Sequence, residues 1–183
     1  ERAYRASGGT GVVRTELTVG DGAHLDWLPQ ETILFEGAAL RRETEVALGE
    51  GATFLGVDTV VLGRVAHGET LRDLAFEDIR TIRRDGAPIH QEHLVLDGAT
   101  LSDDAALGPH RAFATLVLID PAAGDAVDRV RTALGADGHA SAWGDRLVAR
   151  LAAGRAETLR RALIRAINVL RGGPMPRVWQ CDE

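Results

Sequence analysis

The sequence contains no lysine; its 21 basic residues are all arginine and stand against 27 Asp and Glu, a net charge of −6. That balance excludes a nucleic-acid binder that works through a phosphate-neutralising face. Aromatic residues make up only 4% of the chain, so base-stacking platforms are not expected either. One cysteine, Cys181, cannot form an internal disulfide and points to a reducing compartment. No run of about 18 apolar residues occurs, nor a charged-then-apolar start, so neither a membrane span nor a signal peptide is expected. At 183 residues the chain is read as a single domain, 1–183, with a β-rich part over 1–120 and a mixed part over 121–183.

Catalytic signatures are equally scarce. Ser7, Ser102 and Ser141 lie in no nucleophile-elbow context, and the glycine runs fit neither a phosphate loop nor a dinucleotide fingerprint. Cys181, two residues from the end of the chain, is poorly placed for a held nucleophile. His90 and His93 are three apart on an expected strand and so face opposite sides, which prevents a shared metal. His24 and Asp26 share a strand face, but two ligands do not make a closed site.

What the sequence does contain is strand texture. Val12 to Val19 nearly alternates polar and apolar residues, the pattern of a half-buried strand. Further strands are expected at Ala23–Trp27, Glu31–Phe35, Ala38–Leu48, Ala52–Leu62, Thr70–Arg83, Ile89–Leu96 and Arg111–Ile119, punctuated by glycine and aspartate turns. After Pro121 the period changes. Ala126, Val127, Val130 and Leu134 sit at helical spacing before Gly135, and a short strand is expected at Leu147–Leu151. From Ala156 to Leu170 one apolar stripe comprises Leu159, Ala162, Leu163, Ala166, Ile167 and Leu170, with Gly172-Gly173-Pro174 to end the helix. Trp179 is expected to pack back onto the domain.

An internal repeat adds a topological clue. Thr15-Glu16-Leu17-Thr18-Val19-Gly20-Asp21-Gly22-Ala23 recurs 29 residues later as Thr44-Glu45-Val46-Ala47-Leu48-Gly49-Glu50-Gly51-Ala52, with five of nine positions identical. Glu31-Thr32-Ile33-Leu34-Phe35 then matches Asp58-Thr59-Val60-Val61-Leu62 at an offset of 27. Repeats of this length commonly mark units that bury a core by stacking. The expected fold is therefore mainly β, a stacked or β-helical-like sheet scaffold with two helices in the C-terminal third. Two similar hairpins in one sandwich remain the alternative.

Stacked repeats set equivalent side chains in rows, which would align Glu31 with Asp58. A hydrated row of carboxylate and threonine oxygens tolerates a passing divalent cation, because buried carboxylates need pairing or hydration. The competing reading is ordinary ion pairing of these acids with Arg41, Arg42 or Arg64.

The segment Trp27-Leu28-Pro29-Gln30-Glu31-Thr32-Ile33-Leu34-Phe35-Glu36-Gly37-Ala38 resembles the signature of the urease accessory protein family UreD, also called UreH. Two further blocks agree in order and spacing: Val61-Leu62-Gly63-Arg64 followed by Gly68-Glu69, and the closing helix running into Pro176-Arg177-Val178-Trp179. The resemblance implies a cytosolic, non-catalytic chaperone for nickel insertion into apo-urease, built on a β-helical scaffold with a small helical part. It implies UreF, the GTPase UreG and the urease apoprotein as partners, and nickel in transit rather than a tightly bound cofactor. On the same basis Gln30, Glu31 and Glu36 become candidates for lining the nickel path or shaping it. With Asp58 from the repeat, the transient metal set reads Glu31, Glu36 and Asp58. Glu1-Arg2-Ala3-Tyr4-Arg5 looks like the family's mid-chain segment, so its N-terminal strands are expected to be missing here. Such a loss leaves unpaired sheet edge and invites aggregation. A second class of function, a β-helical hydrolase with paired carboxylates acting on a sugar, would need aromatic platforms that three Trp, one Tyr and four Phe scarcely supply.

Overall fold

A computed structural model of the chain describes residues 1–63 and 68–180. Arg64 and Cys181 thus lie outside the described residues. Two compact units emerge, one formed by 1–25, 32–53 and 62–108 and the other by 26–31, 54–61 and 109–183.

In the first unit the sheet is built from β2 (Gly11–Val19), β5 (Ala38–Leu48), β7 (Leu74–Arg84) and β8 (Ala87–Asp97), hydrogen-bonded in that order. Strands β2, β5 and β7 run parallel, and the register of the first pair is the repeat itself: Thr15 opposes Thr44, Glu16 opposes Glu45 and Val19 opposes Leu48. The corners that follow the two strands are stacked as well. Gly49 N–H donates to the Val19 carbonyl at 2.8 Å, Glu50 N–H to Asp21 Oδ1 at 2.9 Å, and Gly22 N–H to the Glu50 carbonyl at 2.8 Å. A side chain at Gly49 would bring its Cβ to 2.2 Å from Asp21 Oδ1, so close stacking of the corners demands glycine there. A two-residue turn, Asp85-Gly86, joins β7 to β8, both residues at positive φ (51° and 76°) as a tight antiparallel hairpin requires. Two short strands, β1 (Arg2–Ala3) and β4 (Thr32–Leu34), pair in parallel in the same unit.

Alternation along β5 and β7 sends Leu40, Val46, Leu48, Leu74, Phe76 and Ile82 inward. The same inward face also carries charge. Arg42 on β5 opposes Asp78 on β7, whose side chain is only 1% exposed. Asp78 Oδ2 lies 3.0 Å from Arg42 Nη2 and 3.0 Å from Arg80 Nε, and Arg80 Nη2 reaches Glu92 of β8 at 2.9 Å. Arg42 further donates to Thr32 Oγ1 at 2.7 Å and lies over the Phe76 ring, 5.2 Å from its centre. Two guanidinium groups thus share one buried carboxylate.

The second unit is a sheet-and-helix layer. Strands β6 (Thr53–Leu62), β9 (Ala112–Ile119), β11 (Arg146–Ala153) and β10 (Gly138–Trp143) pair antiparallel in that order. Helices α2 (Ala123–Leu134) and α3 (Ala156–Leu170) pack against each other and against this sheet. Helix α3 buries Leu159, Ala162, Leu163, Ala166 and Ile167, the expected stripe; Leu170 at its end is half-buried. Gly135 ends α2 with φ at 58°, and Arg165 of α3 donates to the Ala133 carbonyl at 2.8 Å, satisfying one of the carbonyls the helix end leaves open.

The fold is mainly β, as expected. Strand bounds from the sequence are met within a few residues, and Ala38–Leu48 and Ala156–Leu170 coincide with β5 and α3. Among the described residues one α-helix and two strands are additional, besides single-turn 3-10 helices at Gly135–Asp137 and Arg177–Trp179. The one-turn helix α1 (Gly98–Ser102) corrects the expectation that helix occurs only in the last third; Asp97 caps it by accepting from Thr100 N–H at 2.8 Å. Strand β1 is too short to show a period, and β10 (Gly-His-Ala-Ser-Ala-Trp) is too poor in β-branched residues to read as a strand.

The buried charge network makes a sharp prediction. Asp78→Ala strands Arg42 and Arg80 with their charge uncompensated and should cost about 3–5 kcal/mol, read as a lowered urea midpoint. A loss under about 1 kcal/mol would mean that the two arginines find other partners.

Candidate functional site

The most distinctive stretch of the sequence, residues 26–31, is a docking strip for the C-terminal helix and tail. Strand β3 (His24–Trp27) leads into it. Asp26 Oδ2 accepts from Arg171 Nε at 2.5 Å, and the same arginine donates to the Pro174 carbonyl at 2.5 Å. Leu28 offers its carbonyl to the indole Nε1–H of Trp179 at 2.8 Å, and that tryptophan is 1% exposed. The side-chain amide of Gln30 donates to the Val178 carbonyl at 3.3 Å. Glu31 Oε1 accepts from Arg160 Nη1 at 2.7 Å.

Arg160 is the hub of this arrangement. Its guanidinium binds Glu31, donates through Nη2 to the Val178 carbonyl, and lies over the Trp179 ring, 4.7 Å from the centre. Planarity explains the choice of arginine, since one flat fork can face a carboxylate, a carbonyl and an aromatic face at once. Arg160 and Glu31 side chains are 19% and 20% exposed, so the pair is largely shielded from screening by solvent. The expectation that Trp179 packs back is met, and Glu31 is ion-paired, with Arg160; Arg64, one of the arginines expected to serve it, lies outside the described residues. Arg41 instead serves Glu43 and Glu77, and Arg42 serves Asp78. Arg160 stands off the apolar stripe of α3, and its partners are 129 and 18 residues away, beyond any local pattern.

Glu36, in the first unit, has a different role. Its Oε2 accepts the backbone N–H groups of Arg72 at 2.6 Å and Asp73 at 3.2 Å, while its own N–H donates to Glu69 Oε1 at 3.2 Å. These two backbone donors hold the carboxyl below the usual carboxylate range, with the nearby Arg5 and Arg72 charges adding to the effect. Asp58 lies half-buried on β6, opposite Thr115 of β9. Among the described residues no group of three or more His, Cys, Asp or Glu side chains is placed to hold a metal ion. His24 bonds Thr53 Oγ1 at 2.7 Å and His93 bonds Glu77 at 2.9 Å, whereas His90 is buried, 4.0 Å from Glu92. The first two contacts lie on the surface. No helix of the described residues is long and apolar enough to cross a membrane.

The buried set Arg42, Asp78, Arg80 and Glu92 went unremarked in the sequence, although a signal was there. Polar residues occupy inward positions of β5, β7 and β8, where alternation calls for apolar ones.

Comparison with known proteins adds an independent finding. The family described as "UreD urease accessory protein" matches residues 1–180. The chain is similar to proteins named urease accessory protein UreD: 50% identical to that of Dinoroseobacter shibae, 49% to that of Paracoccus denitrificans and 50% to that of Cereibacter sphaeroides. Each match covers 98% of this chain but only 65%, 67% and 68% of the relative. The chain therefore spans about two thirds of the length of the curated relatives it matches.

Two measurements follow from the geometry. Arg160→Ala removes the hub and should destabilise the protein by about 2–4 kcal/mol, with Trp179 fluorescence shifting red as its ring gains water. Arg160→Lys should recover less than half of this, because an ammonium lacks the flat fork. For Glu36 the sign is set by a lowered folded pKa: its contribution is present above the unfolded value and is lost as pH falls. The melting-temperature gap between wild type and Glu36→Gln should be widest near neutrality and close below about pH 4.5. A gap that persists unchanged to lower pH would show that the charge of Glu36 is not what matters.

Proposed function

Since the chain belongs to the UreD family of urease accessory proteins, we propose that it acts as a non-catalytic scaffold in urease maturation, helping to deliver nickel to the urease apoprotein together with UreF and the GTPase UreG. The observation that carries this reading is the family match over residues 1–180. The names of its relatives, accessory proteins rather than enzymes, support a role without turnover. A cytoplasmic location goes with it.

In this reading nickel is cargo. Carboxylate and water oxygens hold a borderline ion such as Ni²⁺ briefly, whereas imidazole and thiolate clusters would retain it. Glu31, Glu36 and Asp58 are the proposed oxygen donors of the transit route. All three also have partners within the fold: Glu31 anchors Arg160, Glu36 accepts the Arg72 and Asp73 amides, and Asp58 is engaged as well. A loss of function at any of them has to be separated from a loss of stability.

The decisive experiment is urease activation in cells by a full-length carrier of each substitution, with co-purification of UreF and urease as a parallel readout. Asp58→Ala, and Glu31→Ala combined with Asp58→Ala, should lower activation several-fold while complex assembly persists. Normal activation would remove both residues from the route. Lost activation with lost assembly would assign them to the fold alone.

A further inference from the structure

The outward face of the four-stranded sheet in the first unit carries cross-strand rungs set by its register. One rung reads Arg14, Glu43, Ile79, His93, and the next reads Glu16, Glu45, Thr81, Gln91. The first is electrostatically closed. Arg14 Nε meets Glu43 Oε2 at 2.8 Å, and Arg41 Nε meets Glu43 Oε1 at 2.7 Å. These two contacts, Arg14 first, hold the Glu43 carboxyl below its ordinary range.

The second rung is open. Glu16 and Glu45 are directly opposed on adjacent parallel strands, an unfavourable placement for like charges, and both are exposed. Neither has a hydrogen-bond or ion-pair partner among the described residues. Thr81, beside them, is 6% exposed and also lacks a side-chain partner among the described residues. All three line one pocket of about 230 Å³ with Arg14, Thr15, Glu43, Thr44 and Ile79.

We propose that this pocket receives an arginine side chain from a protein partner, its guanidinium lying between Glu16 and Glu45 and donating to Thr81. Each unpaired group offers an acceptor oxygen and two of them carry negative charge, so they call for a ligand with several donors and a positive charge. A guanidinium offers five N–H donors in a flat fork and desolvates more readily than an ammonium. A metal ion fits less well, since no three metal-binding side chains here converge on one point, and the pocket has room for a whole side chain. The repeat supplies the two carboxylates, one from each copy, so the parallel stacking of the strands builds the site. This surface is independent of the nickel route, and it would serve a protein partner whether or not the maturation reading holds.

The test is an amide-NMR titration of the purified chain with N-acetyl-arginine methylamide, its neutral citrulline counterpart and MgCl₂ in separate arms. Saturable shifts confined to residues around Glu16, Glu45 and Thr81 are expected with the arginine probe only. Glu16→Gln combined with Glu45→Gln should weaken that binding about tenfold, and Thr81→Val about fivefold. The double variant should melt no lower than wild type, because it relieves a like-charge contact. Equal response to citrulline, an unaltered titration in the double variant, or no localised shifts would overturn the proposal. Saturation of the same amides by Mg²⁺ alone would also overturn it, in favour of an ion site.

Discussion

Parallel, in-register stacking of the Thr-Glu-x-x-x-Gly-x-Gly repeat is the constraint on which the first unit depends. Once Thr15 opposes Thr44, the side chains of the two copies are placed in pairs, and the corners must nest. Gly49 N–H, Glu50 N–H and Gly22 N–H all spend their hydrogen bonds between the corners rather than on water. The room for that nesting exists only because Gly49 has no side chain. Backbone geometry at the corner and side-chain rungs across the sheet are therefore two consequences of one register. A slip of a single residue would turn every inward side chain outward.

The inward face pays for this regularity with a buried carboxylate. Asp78 is tolerable because two guanidinium groups share it and Thr32 and Glu92 take up further donors. Such networks seldom add stability over a well-packed apolar core, but breaking one is costly. Ordering the register is a natural role for it, since Arg42 meets Asp78 only when β5 and β7 are correctly aligned.

In the second unit residues 26–31, which include the start of the family signature, act as a strip to which the C-terminal helix and the segment after it are tied. Asp26, Leu28, Gln30 and Glu31 each hold one group of the helix or tail. Distinctive residues in a loop invite a functional reading, and here the contacts are structural first. Glu31 shows both: its carboxylate is a candidate oxygen donor and is also the anchor of Arg160. Any loss of function at this residue has to be separated from loss of the tail.

Local patterning by itself determined the elements: alternation marked the strands, the 3.6-residue stripe marked α3, and the Asp-Gly turn marked the hairpin. Periodicity reports which face of an element is buried, so it reads well over Ala38–Leu48 and Ala156–Leu170 and fails for two-residue β1 and alanine-rich β10. The 29-residue repeat went further and anticipated which residues would stand side by side. Partners of charged groups were decided only in three dimensions. Glu31 looked like a residue served by nearby arginines, yet it binds Arg160 across 129 positions. The physical reason is that strand and helix periods are short-range properties of the backbone. Which carboxylate meets which guanidinium depends on how distant segments are brought together, and no spacing along the chain records that.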